Sequence, residues 1–289
     1  VRLDPPAVKA QPAAMLERTP VPFDPDRAEH VALYDEASLW SAQAGLLLLD
    51  HVPLRGRRVL DLGCGAGFPT LELAERLGSD AVVIGVDPWM TALARAQAKR
   101  RAWPVPAAAF VRGDGARLPL RDGSIDLVVS NLGVNNFADP ETALGECRRV
   151  LARDGTLALT TNVEGHFAEL YAVMAEVLDT RRDSAAIERL ERHVAHRGTI
   201  DSLGARLERA GFRVESVHER RVVYRFGNAD AIFDHHFMRL GFVPAWHEVA
   251  GESAEEVLAE VRGRLDALAR ETGEIRLTVP LVAMLAHPR

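Results

Sequence analysis

Two aspartates and a glycine turn stand where a nucleotide-like ligand can be held. Residues 59–78 read "VLDLGCGAGFPTLELAERLG". The opening is apolar and β-prone, the middle holds Gly63, Gly65 and Gly67, and the end has the pattern of an amphipathic helix. A strand, a glycine turn and a helix form half of a nucleotide-binding unit. The spacing here is G-x-G-x-G, whereas a dinucleotide fold uses G-x-G-x-x-G, its last glycine packing helix on strand. Pro69, near the helix start, removes an N–H that a pyrophosphate would use. The turn therefore admits a ligand close to the main chain but is less suited to anchoring phosphate. Asp87 ends the next strand about 20 residues later, where an acid holds ribose hydroxyls. Asp114, in "GDGARLPL", falls just past the third strand. A carboxylate there can accept a hydrogen bond from an adenine amino group.

Histidines supply the candidate proton acceptors. His166, in "TNVEGHFAE", follows the fifth strand at the same sheet edge, although helix-start polarity explains it nearly as well. His235 and His236 are adjacent in "FDHHFMRLGF". On a helix they point about 100° apart, so they do not easily share one ion, and no metal site is expected. Either can be a base lining a pocket. Around them Phe233, Phe237, Met238, Leu240, Phe242 and Trp246 form the apolar part of a pocket wall. His193 and His196 sit on a polar helical stretch and read as solvated. Tyr34 and Trp40 either cover the ligand from an N-terminal helix or belong to the core; Tyr34 leans to a lid.

These residues need a scaffold, and the hydrophobic pattern supplies one. "RRVLDLG", "AVVIGVD", "AAAFVRGD", "IDLVVSN" and "GTLALTTN" read as buried strands. Helices alternate with them, including one opened by Asp139 and Pro140 and running to Gly155. That alternation over residues 57–161 predicts a parallel, doubly wound sheet. Residues 164–210 read as consecutive helices, "GFRVESVHERRVVYRF" as a strand or strand pair, and "EIRLTVPLVAMLAH" as a closing strand. The fold class is α/β: a Rossmann-like, doubly wound, mainly parallel sheet with an antiparallel last strand and a helical cap. Residues 1–25 form an extended, proline-rich arm. Residues 26–289 form one domain, with its core in 55–162, 211–226 and 274–287. The cap comes from 26–52, 163–200 and 227–271.

The successive stretches "VLDLGCGAG", "VIGVD", "GDGARLPLRDGSIDLVVSN" and "ECRRVLARDGTLALT" closely resemble the ordered motifs of class I S-adenosylmethionine (SAM)-dependent methyltransferases. The nearest branch includes the ubiquinone and menaquinone C-methyltransferases and many small-molecule methyltransferases. The resemblance covers about residues 55–162. It implies that Asp61, Gly63 and Gly65 line the methionyl part of SAM and that Asp87 binds the ribose. It further implies that Asp114 and Gly115 hold adenine and that Asn131 faces the methionine portion or the methyl group. Pro88 and Trp89 join this cofactor set, with Trp89 over the adenine face or packed on the sheet. SAM, and its product S-adenosylhomocysteine, carry no phosphate, in keeping with the G-x-G-x-G turn and Pro69.

Composition narrows the partners. The 289 residues hold 47% hydrophobic and 26% charged side chains and a net charge of -6, an ordinary globular balance that argues mildly against a nucleic-acid backbone. After strand four stands "SNLGVNN", not the Asn-Pro-Pro-aromatic motif typical of amino-group methylation, which weakens base N-methylation. Two cysteines exclude a disulfide framework and fit a cytoplasmic setting. "GLLLLDHVPL" is too short to span a membrane, and the N-terminus lacks the apolar region of a signal peptide. The expected activity is methyl transfer from SAM to a small-molecule acceptor, with a homodimer compatible. A non-catalytic SAM-binding protein and an NAD-dependent oxidoreductase are the alternatives.

Overall fold

The computed structural model describes residues 24–36, 38–102 and 105–289, so the expected arm over 1–25 lies almost wholly outside the described residues. Among these residues seven strands build one sheet: β1 (Arg58–Leu62), β2 (Val82–Asp87), β3 (Ala108–Arg112), β4 (Ile125–Asn131), β5 (Leu151–Asn162), β6 (Phe212–Phe226) and β7 (Ile275–Pro288). Their order is β3-β2-β1-β4-β5-β7-β6. The first five run parallel, and β7 is antiparallel to both β5 and β6. Because the chain winds outward in both directions from β1, the β1/β4 boundary is a switch point. Loops part there and leave a crevice at the strand C-termini.

Among the described residues twelve α-helices surround the sheet: α1 (Ala28–Glu36), α2 (Ser38–His51), α3 (Thr70–Leu77), α4 (Met90–Ala102), α5 (Pro140–Val150), α6 (Ala168–Thr180), α7 (Ser184–Ala195), α8 (Ile200–Arg209), α9 (Ala229–Phe233), α10 (His236–Gly241), α11 (Val243–Ala250) and α12 (Ala254–Thr272). The apolar stripe of α3, with Leu73 and Ala74 buried, faces the sheet, while Glu72 and Arg76 pair on its solvent side at 2.7 Å. α2 buries Leu47 and Leu48 and packs on β4, β5 and β7.

Two segments differ from the sequence expectation. The helix opened by Asp139 stops at Val150, not Gly155. Leu151 leaves helical geometry at ψ 135, pairs with Ile125 and is buried, so β5 starts there. Residues 28–36 and 38–51 are helical, as expected for 26–52. The stretch 228–242 is broken between α9 and α10, because His235 turns its ring back and Nδ1 accepts the Phe237 N–H at 3.3 Å. This side-chain bond replaces a helical one and starts a new helix.

β7 joins two cores. On one side Val282 and Met284 pack with Leu60 and Leu157 of the central strands. On the other, Leu277 and Val279 pack with Met174, Trp246, Val257 and Leu265 of the added helices. Trp246 is fully buried and its indole N–H donates to the Tyr171 hydroxyl at 3.4 Å. Replacing so large a buried side chain by alanine costs about 3–5 kcal/mol. Trp246→Ala should lower the urea midpoint correspondingly, with the denaturant slope unchanged. A midpoint equal to wild type in equilibrium unfolding would contradict this core assignment.

Candidate functional site

The crevice at the C-terminal ends of β1, β2 and β4 is built around the glycine turn. Gly63 (φ 79) and Gly65 (φ 50) occupy the left-handed region, which explains glycine at both positions. The Gly63 N–H donates to the Val86 carbonyl at 2.8 Å, holding the turn against β2. Asp87 completes the attachment. Its Oδ2 accepts the Gly65 N–H at 2.9 Å and its Oδ1 accepts the Trp89 N–H at 2.9 Å. Burial raises the Asp87 carboxyl above its ordinary value, and these two N–H donors oppose the rise. Gly63, Gly65, Asp87, Pro88, Trp89 and Asn131 all line the resulting cleft.

Asp61 lies fully buried on β1 and is not part of the cleft wall. Thr70 Oγ1 donates to its Oδ2 at 2.6 Å, whereas Oδ1 has no partner among the described residues. Burial pushes its pKa up to about 7; the Asp87 charge adds to the rise and Thr70 opposes it. Asn131 bridges elements as well as facing the cleft. Its Oδ1 accepts from Thr160 Oγ1 at 2.7 Å and its Nδ2 donates to the Ser41 carbonyl at 3.0 Å, tying α2 to the sheet.

Asp114 and Gly115 are not among the residues lining this cleft. Asp114 is exposed, and its Oδ1 accepts the Ala116 N–H at 2.9 Å, closing its own turn. Tyr34 falls within α1, but its side chain lies outside the described residues. Its neighbour Asp35 lines the cleft instead, accepting from Lys99 Nζ at 2.5 Å and from Arg95. Lys99 also donates to the Ala66 carbonyl at 3.0 Å, so α4 clamps α1 beside the glycine turn. The only local signal for that clamp is the i, i+4 spacing of Arg95 and Lys99 on α4.

A second cavity of about 440 Å³ continues from the first, sharing Trp89, Leu132 and Asn136 with it. Trp40, Phe237, Leu240 and Phe242 form its apolar wall, with Asn162 and Arg197 as polar groups. The expected apolar wall is thus divided: Phe237, Leu240 and Phe242 face this cavity, whereas Phe233, Met238 and Trp246 belong to the helical core. His166 is buried, and the Asn162 amide donates to its Nδ1 at 3.1 Å. That bond leaves the ring proton on Nε2, which has no partner among the described residues. Burial first, then the Arg197 and His193 charges, hold His166 well below its usual pKa. His235 and His236 stack with ring centres 4.6 Å apart and do not line either cavity.

His193 is not a free solvated residue. Its Nε2 meets the Tyr171 hydroxyl at 2.9 Å, and burial, with a contribution from Arg197, lowers its pKa to about 4. The sequence reading missed Asn162 and Arg197. Asn162 has a signal, since it ends β5 at the same sheet edge as Asp87 and Asn131. Arg197 has none, because its position depends on how α7 returns towards that edge.

Residues 60–159 match the family described as "Methyltransferase domain". The chain is 42% identical over 122 residues to a demethylmenaquinone methyltransferase of Thermus thermophilus, covering 42% of this chain and 52% of that one. It is 38% identical over 170 residues to a malonyl-[acyl-carrier protein] O-methyltransferase of Geobacter sulfurreducens, covering 58% of this chain and 60% of that one. The chain thus spans between half and two thirds of the length of these relatives. Among solved structures it resembles the YcgJ protein of Bacillus subtilis, with TM-score 0.56 and 17% identity over 85% of this chain and 97% of that one. It also resembles a SAM-dependent methyltransferase from Aquifex aeolicus, with TM-score 0.52 and 21% identity over 68% of this chain and 92% of that one. At these identities the structural likeness speaks to the fold alone. Over residues 60–159, therefore, the chain matches a methyltransferase domain.

Proposed function

We propose that the protein transfers a methyl group from SAM to a small-molecule acceptor. One observation carries this reading: two carboxylates hold the glycine turn, Asp87 accepting the Gly65 N–H at 2.9 Å and Asp61 buried beneath it on Thr70, and the Asp87 charge adds to the rise in the Asp61 pKa. A pyrophosphate would be repelled there, whereas a cationic, phosphate-free nucleoside suits the site. Pro69 points the same way, because it precedes α3 and has no N–H to offer a phosphate.

When bound, SAM supplies an electrophilic methyl group. The protein's task is then to place the acceptor in line with it. In this reading Asp87 takes the ribose hydroxyls, Gly63 and Gly65 let the ligand approach the backbone, and Trp89 and Pro88 border the base. Asn131 orients the methionyl end, and Asp61 supports it from beneath the turn. Asp114 and Gly115 belong to the proposed adenine end and need their turn to shift towards the cleft. The acceptor occupies the neighbouring aromatic cavity; His166, His235 and His236 do not line it, and the His166 Nδ1 lone pair is taken by the Asn162 amide, so placement of the acceptor rather than a histidine base carries the transfer in this reading. Among the described residues no helix is long and apolar enough to cross a membrane. A cytoplasmic setting is part of the proposal, supported by two buried cysteines that form no disulfide.

Calorimetry should show SAM and S-adenosylhomocysteine binding and no response to NAD; the reverse pattern would reject the reading. Charge-assisted hydrogen bonds to a carboxylate are worth about 1.5–3 kcal/mol each. Asp87→Ala should therefore weaken SAM binding at least about tenfold. Equal affinity in a variant with wild-type circular dichroism removes Asp87 from the ribose role.

Asp61 gives a pH-dependent prediction. Its native pKa of about 7 lies above the ordinary 3.8, so the native state holds a proton that the unfolded chain has lost. Its stabilising contribution is complete below the unfolded value and declines as pH rises through the native value. Asp61→Asn removes this titration while keeping an acceptor for Thr70. The stability difference, variant minus wild type, should rise between pH 4 and pH 8 in thermal melts. A flat difference would mean that Asp61 ionises normally.

A further inference from the structure

The two ends of the double cleft carry opposite charge. At the glycine turn stand Asp61 and Asp87. At the far end, in the aromatic cavity, stands Arg197. Its guanidinium meets the Tyr171 hydroxyl and lies 5.8 Å from the centre of the Phe242 ring. Burial lowers its pKa, and Tyr171 gives back part of the loss. Among the described residues no carboxylate forms an ion pair with it. Most other arginines that α6 to α12 bring together do have one: Arg181 pairs with Glu256, Arg262 with Asp230 and Arg264 with Glu260. Arg197 is half-buried, and a cation partly withdrawn from water without a counter-ion is costly to keep. One phenol and one aromatic face offset only part of that cost. A guanidinium offers five donors in a fixed fork, so most remain for something in the cavity it lines.

The rest of the cavity describes what that something is attached to. Trp40, Phe237 and Phe242 surround it, with ring centres 5.0 Å and 5.4 Å from Trp40. Tyr224 stacks behind Trp40 at 4.7 Å and an interplanar angle of 19°, fixing the indole plane. These flat walls suit a ring system. Asn162 adds one amide at the sheet edge.

We infer that Arg197 is a specificity-determining residue that binds an ionised oxygen of a ring-bearing, otherwise apolar acceptor. This rests on the methyltransferase reading for the identity of the neighbouring cleft. The acidic end receives the cationic cofactor and the arginine end receives the anionic acceptor, so each ligand is repelled from the other's place. Trp89, Leu132 and Asn136, which line both cavities, lie where the two ends meet.

The test uses protein saturated with S-adenosylhomocysteine and two probes of equal shape, 2-naphthoate and 2-naphthamide, titrated at pH 7. Wild type should bind the carboxylate at least about tenfold more tightly than the amide, as loss of a charge-assisted bond predicts. Arg197→Gln should abolish the preference, and Arg197→Lys should keep part of it. S-adenosylhomocysteine affinity should stay within about twofold of wild type in both, since Arg197 does not line the glycine cleft. The inference is overturned if the probes bind equally to wild type, if neither binds, or if Arg197→Gln retains the preference. The wild-type comparison decides even if a variant does not fold. A wild-type protein that fails to bind S-adenosylhomocysteine would instead reject the methyltransferase reading and this inference with it.

Discussion

The attachment of the glycine turn to Asp87 is the constraint on which the site depends. One carboxylate accepts two backbone N–H groups, one from the turn after β1 and one from the entrance to α4. These two segments are far apart in sequence and would otherwise be separate loops at the sheet edge. Both donors are main-chain groups, so the bonds set the path of the chain rather than the pose of a side chain. Gly63 and Gly65 make that path accessible, because both need positive φ. The cleft is therefore shaped before any ligand arrives, and a ligand that uses the remaining lone pairs of Asp87 meets a carboxylate already oriented.

The same carboxylate shapes the electrostatics beneath it. Asp61 is buried below the turn with one oxygen bonded to Thr70 and the other unpaired. A buried carboxylate without full hydrogen bonding is held towards its neutral form. The negative charge of Asp87 strengthens that tendency. Cationic charge arriving in the cleft would relax both groups together. The acidic floor is thus less a source of stability than a local cost that a cationic ligand offsets, which is a reason to expect such a cost at a binding site and not in the sheet core.

The parallel half of the fold is legible because its strands are short apolar runs that end in polar residues at one sheet edge. Asp87, Asn131 and Asn162 all end strands, so alternation alone brings them together. The end of α5 is less legible. "VLARDG" continues a helical pattern locally, and only the pairing of Leu151 with Ile125 on another strand overrides it. Asp114 shows a different limit. Its position past β3 is readable, but whether its carboxylate faces the cleft or closes its own turn is decided by a backbone N–H two residues away. In the helical half, Trp246 and Phe242 look alike in sequence, as aromatics on neighbouring turns. Both belong to the helical core, but Phe242, at the junction of α10 and α11, also lines the cavity, whereas Trp246 does not.

The helical core also fixes the group that sequence could not reveal. The Tyr171 hydroxyl is met by the Trp246 indole N–H, by Arg197 and by His193 Nε2. Trp246 and Arg197 have only donors to give, so both must donate to the hydroxyl oxygen. The hydroxyl proton is then directed to His193, whose Nε2 must be an unprotonated acceptor. A His193 pKa of about 4 keeps the ring neutral, so one of its nitrogens is free to accept. The chain of donors has one direction, and its consequence is positional. Arg197 meets the Tyr171 hydroxyl from the cavity side, and Tyr171 is held by a tryptophan at the centre of the helical core. The cation in the cavity wall is therefore placed by packing that lies behind the cavity, out of reach of any ligand in it.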